Sequence, residues 1–410
     1  MTLDAEIASH DERDPLQGFR GAFQLRDGLI YLDGNSLGAA PKVTAARLAE
    51  TVCEQWGEGL ITSWLGAQWS IAPQRIGDKI ATIIGADPGE VIAADSTSVN
   101  LFKALCAALS LRPGRSVILS EQTNFPTDVY MMQGIEGFSG GRIKALAVAP
   151  ETVLDRLDED VAVLLLTQVH YKSGLVRDMA EVTRQAHDKG VLVVWDLSHS
   201  AGAIPVDLNA AHADFAVGCG YKYLNGGPGA PAFLFVAERH QDARPVLSGW
   251  FGHASPFAFE DDYRPASGIT RFLCGTPPVL GLVALKAGVD LLCRADMDEV
   301  RAKSLRLGEL FIERMEQRCG EFGFRLISPR EPERRGSQVA YAHPHGYEIV
   351  QALKACDVIG DFRAPDILRF GLTPLYLRHA DVVEAVERIR EVCATRAWDK
   401  PQYRERAAVT

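Results

Sequence analysis

Short apolar segments alternate with amphipathic segments through the middle of the chain, from about residue 90 to residue 236. Runs of this length, bounded by turn residues, predict buried strands, and we place them at Val91-Ile92, Val117–Leu119, Ala145–Val148, Val161–Leu166, Val191–Trp195 and Phe215–Val217. The stretches between them have a helical period and predict helices at 100–111, 128–134, 151–157 and 178–189. Strands separated by helices indicate parallel βαβ units in an open α/β sheet, with the functional site at the carboxyl ends of the strands.

The pattern changes on both sides of this region. The first 45 residues contain the turn-rich stretch 31–38 and predict an extended arm. After Pro277-Pro278, long helical stretches run to about residue 296 and then to residue 320. Two strands near 337–341 and 367–370, with helices at 346–356 and 381–394, predict a smaller α+β domain. We therefore predict an arm at 1–45 that contributes to the small domain, a large domain at 46–280 and the small C-terminal domain at 281–410.

Composition and charge exclude several classes of function. The chain is 47% hydrophobic and 23% charged, as expected for a globular protein, and its net charge of −10 argues against nucleic-acid binding. No apolar run approaches the roughly 18 residues of a membrane helix, and the first 13 residues do not resemble a signal segment. The eight cysteines never show C-x-x-C spacing, which predicts reduced thiols in the cytoplasm and no metal site.

A lysine in a glycine-rich turn is the most informative chemical feature. Lys222 lies in the run Gly218–Gly229, between the apolar runs that begin at Phe215 and Pro231. A lysine held between buried strands is well placed to form a Schiff base, because desolvation lowers the pKa of its amine. Asp196 ends the apolar run before it, and His199 follows three positions later. A strand-end aspartate with a turn lysine is the pair that pyridoxal phosphate enzymes use.

Other strand ends carry residues that suit a flat, anionic ligand. Hydroxyl side chains in the run Asp95–Asn100 open a helix, where they could cap its N–H groups or receive a phosphate. The run Asn124–Asp128 repeats this pattern and adds an aromatic residue, and Thr167 and His170 follow another strand. Capping alone explains each of the first two runs, but together with the Asp196 strand end there are four strand ends of this kind, which favour a shared binding site.

Seven segments of the chain together resemble the kynureninases, a family of pyridoxal 5'-phosphate enzymes of fold-type I. The resemblance covers about residues 30 to 380 in order, and it rests on the segments Gly34–Gly38, Phe125–Asp128, Asp196–His199, Tyr221–Asn225, Gly249–His253, Gly275–Pro278 and Arg369–Tyr376. It implies an aspartate aminotransferase-like large domain with a mostly parallel sheet and a smaller α+β domain. It also implies a homodimer with shared active sites.

The resemblance implies a role for each matched residue. Lys222 would carry pyridoxal phosphate covalently, Asp196 would pair with the ring nitrogen, and His199 would lie beside the Asp196 carboxylate. Tyr221 would bind the phosphate and is our candidate acid–base group. The remaining cofactor contacts would be Thr97, Ser98, Phe125, Asp128 and Thr167, with Trp250 and Thr276 supplied by the neighbouring subunit.

The substrate side of the site rests on three residues. Arg369 matches the arginine that holds the substrate α-carboxylate, a task suited to a guanidinium fork, although by sequence alone it could be a structural ion-pair partner. Ser36 and Trp64 would also contact the substrate. Trp64 and Thr276 together resemble the bacterial enzymes that favour unsubstituted L-kynurenine.

The implied reaction is hydrolytic Cβ–Cγ cleavage of L-kynurenine to anthranilate and L-alanine, with 3-hydroxykynurenine as a second possible substrate. The nearest alternative is a cysteine desulfurase or selenocysteine lyase, which would need a histidine before the lysine and a cysteine on a loop. Tyr221 precedes Lys222 here, and Cys356 ends a predicted helix. A regulatory protein on a retired pyridoxal fold is a further alternative, but the chain keeps its catalytic residue types.

Overall fold

The computed structural model of the chain describes residues 3–406 and consists of α-helices and three β-sheets. The strands are β1 Ile30–Tyr31, β2 Val91–Ala93, β3 Val117–Glu121, β4 Lys144–Val148, β5 Val161–Thr167, β6 Leu192–Asp196, β7 Phe215–Gly218, β8 Phe233–Val236, β9 Arg325–Leu326, β10 Gln338–Ala342, β11 Val358–Ile359, β12 Asp361–Arg363 and β13 Ile367–Gly371. The helices are α1 Leu3–Glu12, α2 Val43–Glu50, α3 Ser63–Gly66, α4 Ala72–Ile84, α5 Thr97–Ser110, α6 Pro126–Phe138, α7 Met179–Asp188, α8 Val279–Leu292, α9 Met297–Cys319, α10 Gly346–Lys354 and α11 His379–Ala394.

The large sheet has seven strands in the order β2-β8-β7-β6-β5-β3-β4, and β8 alone runs against the others. Both faces of the sheet are covered. Along β5, Val163 and Leu165 face the core that α5 and α6 cover, whereas Leu164 and Leu166 face the opposite core. Burial on both faces explains why these strands are continuous apolar runs, as parallel strands usually are. The prediction of a mostly parallel α/β sheet is confirmed.

The C-terminal part of the chain forms a four-stranded antiparallel sheet in the order β12-β13-β10-β9, which α9 and α10 cover, and α11 packs against these two helices. The N-terminal residues pack on this part, because β1 pairs in parallel with β11 and α1 packs against α11. The carboxylate of Asp11 accepts hydrogen bonds from the first backbone N–H groups of α11. The exact domain boundaries stay a prediction.

Two local predictions were wrong. The first 45 residues are not extended throughout, since they contain α1 and a 3-10 helix at Gln17–Ala22. The helix predicted at 151–157 is two 3-10 turns, Pro150–Thr152 and Leu154–Arg156. The shortness of the segment favours these tighter turns over a regular helix. Within residues 3–406, each helix is too short or too polar to span a lipid bilayer.

Candidate active site

The candidate active site lies at the carboxyl ends of β3, β5, β6 and β7, where turns of the large sheet surround a cavity of about 140 Å³. The strand register brings Thr167 and Asp196 side by side, because they are paired residues at the ends of β5 and β6. Thirteen residues line the cavity: Ser96, Thr97, Ser98, Phe125, Thr127, Asp128, Thr167, Tyr171, Asp196, Ser198, His199, Tyr221 and Lys222. The structure therefore brings nine of the predicted cofactor residues together.

Lys222 lies in the turn after β7, and its side chain is buried against the cavity. Its Nζ atom is 3.0 Å from Nε2 of His199 and 5.8 Å from the centre of the Phe125 ring. The N-terminal arm stabilises this turn, because the backbone N–H of Gly38 donates a hydrogen bond to the carbonyl of Tyr221 at 2.8 Å. A Cβ atom at Gly38 would lie 2.2 Å from the carbonyl oxygen of Lys222, so this approach requires glycine.

Two buried carboxyl groups, Asp196 and Asp128, face the lysine. Asp196 accepts a hydrogen bond from the backbone N–H of Ser198 at 2.7 Å. Burial raises the pKa of Asp196, and the Ser198 hydrogen bond and the charge of Lys222 oppose that rise. Burial and the nearby charge of Asp196 raise the pKa of Asp128 well above its ordinary value. Asp196 and Asp128 can therefore carry a single negative charge between them beside Lys222.

His199 contacts Lys222 in this structure, and its side chain is buried. Burial and the charge of Lys222 lower the pKa of His199 well below its ordinary value, so the imidazole is neutral near pH 7. Its Nδ1 atom and Oδ1 of Asp128 are buried without a hydrogen-bond partner among the described residues. Buried polar atoms are normally satisfied, so these two atoms indicate a polar group that binds in the cavity.

The helix α5 begins at the opposite wall of the cavity. Ser96 caps it, and its side chain accepts a hydrogen bond from the backbone N–H of Val99 at 3.3 Å. Thr97 and Ser98 occupy the first turn and line the cavity. Because the first N–H groups of a helix lack partners and carry a partial positive charge, this wall suits a phosphate. Capping and anion binding therefore occur at the same helix start and do not exclude each other.

Phe125 precedes α6 and presents its half-exposed ring to the cavity. Its ring meets that of Tyr171 edge-on, with the centres 5.2 Å apart. Sequence reasoning missed Tyr171, although it directly follows His170 at a strand end that had been singled out. His170 itself does not line the cavity, and its Nε2 atom is 2.9 Å from the carbonyl oxygen of Thr123.

Arg369 lies in β13 beside this cavity and is fully buried. Its guanidinium binds the carboxylate of Asp361 through Nε and Nη2, and its Nη1 donates to the backbone carbonyl of Tyr171. Nη2 also donates to Oγ of Ser36 at 3.0 Å. The structural ion pair that the sequence left open is thus present. The outer edge of the guanidinium, formed by Nη1 and Nη2, faces Tyr171 and Ser36.

Sequence reasoning also missed Asp361 and Asp33, which lie beside Arg369. Asp361 is the Cα partner of Arg369 in the β12–β13 register, and the two arginines Arg363 and Arg369 lower its pKa despite burial. Burial and the Asp361 carboxylate raise the pKa of Asp33 to about 7. The turn Ala364-Pro365-Asp366 between short apolar runs is the signal that could have predicted this hairpin.

Trp64, Trp250 and Thr276 are not among the residues that line the cavity. Trp250 is 38% exposed, and its ring contacts Phe251, Phe257 and Phe259. Trp64 packs against Phe251, with ring centres 6.0 Å apart. Trp64 and Trp250 therefore belong to one aromatic surface of the same subunit, whose members do not line the Lys222 cavity.

The chain is similar to several known proteins. Residues 300–389 match the model of the kynureninase C-terminal domain. The chain is 49% identical to a kynureninase of Burkholderia pseudomallei and 46% identical to one of Pseudomonas fluorescens, each over the full length of both proteins. Among solved structures, a cysteine desulfurase from Thermococcus onnurineus superimposes with a TM-score of 0.77 and 18% identity, covering 93% of this chain and 99% of that one. A C-DES mutant with glycine linked to its PLP cofactor gives a TM-score of 0.77 at 17% identity, covering 91% and 99%. These two structures share the fold.

Proposed function

The chain belongs to the kynureninase family, and from this premise we propose that it uses pyridoxal phosphate to hydrolyse L-kynurenine to anthranilate and L-alanine. The full-length identity to kynureninases carries the assignment of the reaction. The observation that carries the assignment of the site is the cavity where Lys222, Asp196 and the start of α5 meet. Phe125, His199 and Tyr221 are the other side chains that make the cavity suitable for a flat, anionic cofactor.

Each wall of the cavity has a proposed task. Lys222 would hold the cofactor covalently, and its amine would move the α-proton of the substrate. Asp196 holds the proton of the pyridine nitrogen, Phe125 packs on the ring, and Thr97, Ser98 and Tyr221 bind the phosphate. Asp128, Thr167 and His199 complete the polar wall. When bound, pyridoxal phosphate supplies an electron sink for the reacting carbon.

The experiment that tests the reaction is product analysis with the purified protein and pyridoxal phosphate. Equal amounts of anthranilate, read by its fluorescence, and L-alanine should appear from L-kynurenine. We propose that 3-hydroxykynurenine has the lower kcat/KM, in line with Trp64 and Thr276. Sulfide released from L-cysteine without anthranilate would instead favour a desulfurase, although Cys356 is exposed and does not line the cavity.

We propose that Arg369 and Ser36 bind the substrate α-carboxylate at the outer edge of the guanidinium fork. An Arg369→Lys variant keeps the charge but loses the fork, so its KM should rise about tenfold to hundredfold with a smaller change in kcat. Steady-state kinetics with L-kynurenine measures this. Arg335, equally buried in an ion pair with Glu309, is the matched control, and Arg335→Lys should leave KM unchanged. Equal KM changes in the two variants would contradict the role.

Asp33 should make substrate binding depend on pH. Its pKa is raised to about 7, so it is protonated below pH 7 and adds a negative charge near Arg369 above it. That charge opposes the substrate carboxylate, and KM should therefore rise roughly fivefold from pH 6 to pH 8.5. In Asp33→Asn the rise should disappear, which a KM–pH profile checks. An unchanged rise in that variant would assign it to another group.

Tyr221 is proposed to serve both the phosphate and the proton transfer near the substrate carbonyl. Burial raises the pKa of its phenol, so the hydroxyl stays protonated at neutral pH and can donate. Tyr221→Phe should lower kcat about a hundredfold and change the Kd of pyridoxal phosphate by less than about threefold. Absorbance titration of the apoprotein and steady-state kinetics separate the two effects. Equal losses in both would leave Tyr221 as a phosphate ligand alone.

We propose a homodimer in which Trp250 and Thr276 of one subunit complete the cavity of the other. Two observations support it: both residues lie away from their own cavity, and large apolar side chains are exposed nearby and along residues 56–65. Among these are Trp56, Leu60, Ile61, Leu65, Phe257 and Phe259. Exposed apolar surface of this extent is typical of an interface.

We also place the enzyme in the cytoplasm, in line with its eight unpaired cysteines.

A further inference from the structure

Lys103, in the second turn of α5, is 2% exposed and lies outside the machinery described above. Its Nζ atom donates to Oδ2 of Asp95 at 2.5 Å and to the backbone carbonyl of Phe272 at 2.6 Å. A buried ammonium is costly unless it is paired and hydrogen-bonded, so both contacts are needed to keep it there. Lys103 thus joins two segments that are 177 residues apart in the chain.

The first segment is the turn that leads into the phosphate wall of the cavity. Asp95 has a φ of 51°, in the left-handed region that residues other than glycine rarely adopt. This conformation redirects the backbone between β2 and α5, and the next three residues, Ser96 to Ser98, line the cavity. Such a backbone conformation persists when its surroundings hold it, and the Lys103 ion pair is one such restraint.

The second segment, residues 249–276, carries Trp250 and Thr276. Phe272 ends the 3-10 helix Gly268–Phe272, and two residues later the carbonyl of Cys274 accepts the backbone N–H of Phe251 at 3.2 Å. Lys103 therefore binds the backbone two residues before Cys274, and the hydrogen bond between Cys274 and Phe251 fixes the loop that carries Trp250. Burial raises the pKa of the Cys274 thiol, and the charge of Lys103 opposes this rise.

We propose that Lys103 is a positioning residue that holds the phosphate-binding turn 95–98 and the 249–276 segment in a fixed relation to each other. That these two segments bind the cofactor and complete the partner's cavity rests on the proposed function. In the proposed dimer, the Lys103 ammonium then positions two walls. One is the phosphate-binding wall of its own cavity, and the other is the segment with Trp250 and Thr276 that completes the cavity of the partner subunit. Loss of Lys103 should weaken cofactor binding and loosen both segments together.

The chain provides a matched control. Lys303 is 1% exposed, and its Nζ donates to Oδ2 of Asp14 at 2.5 Å and to the carbonyl of Pro374 at 2.7 Å. Lys303 makes the same two kinds of contact as Lys103, but it ties α9 to the N-terminal and C-terminal segments and touches neither cavity wall. The side chain of Asp14 is 2% exposed and that of Asp95 is 29% exposed, so Lys303→Met should lose at least as much stability as Lys103→Met. A general loss of stability should therefore affect the Lys303 variant at least as strongly.

The experiment compares these two variants with the wild type by titration of the apoprotein with pyridoxal phosphate and by hydrogen–deuterium exchange. In Lys103→Met the Kd should rise at least about tenfold, against less than about threefold in Lys303→Met. Exchange should increase in both 95–100 and 249–276 relative to β10 and β13 in the Lys103 variant. Equal Kd and exchange in the two variants, or an increase in one of the two segments alone, would overturn the proposal.

Asp95→Asn provides the milder test if Lys103→Met does not fold. Asparagine tolerates the left-handed conformation, and the Asp95 side chain is 29% exposed, so the change removes the charge with little other disturbance. It should shift Kd and exchange in the same direction, and wild-type values would overturn the proposal. A wild-type protein that does not bind pyridoxal phosphate would contradict the proposed function instead, whereas exchange of the apoprotein would still test Lys103.

Discussion

Replacing Lys222 with alanine is expected to lower kcat for L-kynurenine by at least about 10⁴-fold. The reason is that one amine has two tasks, covalent attachment of the cofactor and transfer of the α-proton. Its Nζ atom lies in the cavity 3.0 Å from a neutral histidine, where no other lysine lines the wall among the described residues. Anthranilate fluorescence and the absorbance of the bound cofactor measure the two losses.

Lys222→Arg separates the charge of Lys222 from its chemistry. Arginine keeps a cation beside His199 but is effectively always protonated, and it neither attaches the cofactor nor takes a proton. Both variants should therefore be inactive, with the fold retained. Activity within about tenfold of the wild type in Lys222→Arg would show that the charge alone suffices.

Replacing Asp196 with asparagine is expected to lower kcat by about 10² to 10³-fold, the loss typical of one removed electrostatic partner in a preorganised site. Asp196 is fully enclosed at the end of β6, and the Ser198 N–H and Lys222 favour its charged form. An amide of the same shape cannot hold the proton on the cofactor ring nitrogen. The thermal stability of the apoprotein should not fall, because the amide relieves the burial of a charge.

Asp214 is the matched control for this variant. It is equally buried, but it lies just before β7, at the opposite edge of the sheet, where His187, His240 and Arg239 bind it. The hydrogen bonds from His187, His240 and the backbone N–H of Val193 lower the pKa of its carboxyl despite burial. Asp214→Asn should therefore lower the unfolding temperature and leave kcat unchanged. If Asp196→Asn and Asp214→Asn both lost activity in proportion to their loss of stability, that result would contradict a specific catalytic role of Asp196.

The sequence predicted the large sheet well because its strands are buried on both faces. Continuous apolar runs such as 161–166 and 191–195 leave little ambiguity, and the polar residue that ends each run then falls at one edge. This is why Thr167, Asp196 and Lys222 could be grouped from the sequence alone. The arm was harder, because α1 is mostly polar and depends on packing against α11.

The surroundings of Arg369 could not be read from the sequence to the same degree. Asp361 reaches the guanidinium through the register of two short strands, and Ser36 comes from a segment more than 300 residues earlier. Strands of three to five residues carry too few alternating positions to fix a register. For the same reason, the contact between Lys103 and the carbonyl of Phe272 had no sequence signal, since a backbone acceptor has no residue type.

The central claim, that the Lys222 cavity is where the cofactor acts, is tested most directly by borohydride reduction of the purified holoenzyme followed by peptide mass mapping. The account predicts that the reduced cofactor is found on the peptide that contains Lys222 and that the same treatment after saturation with L-kynurenine lowers its yield. Cofactor attached mainly to another lysine, or to none in protein that turns over L-kynurenine, would contradict it.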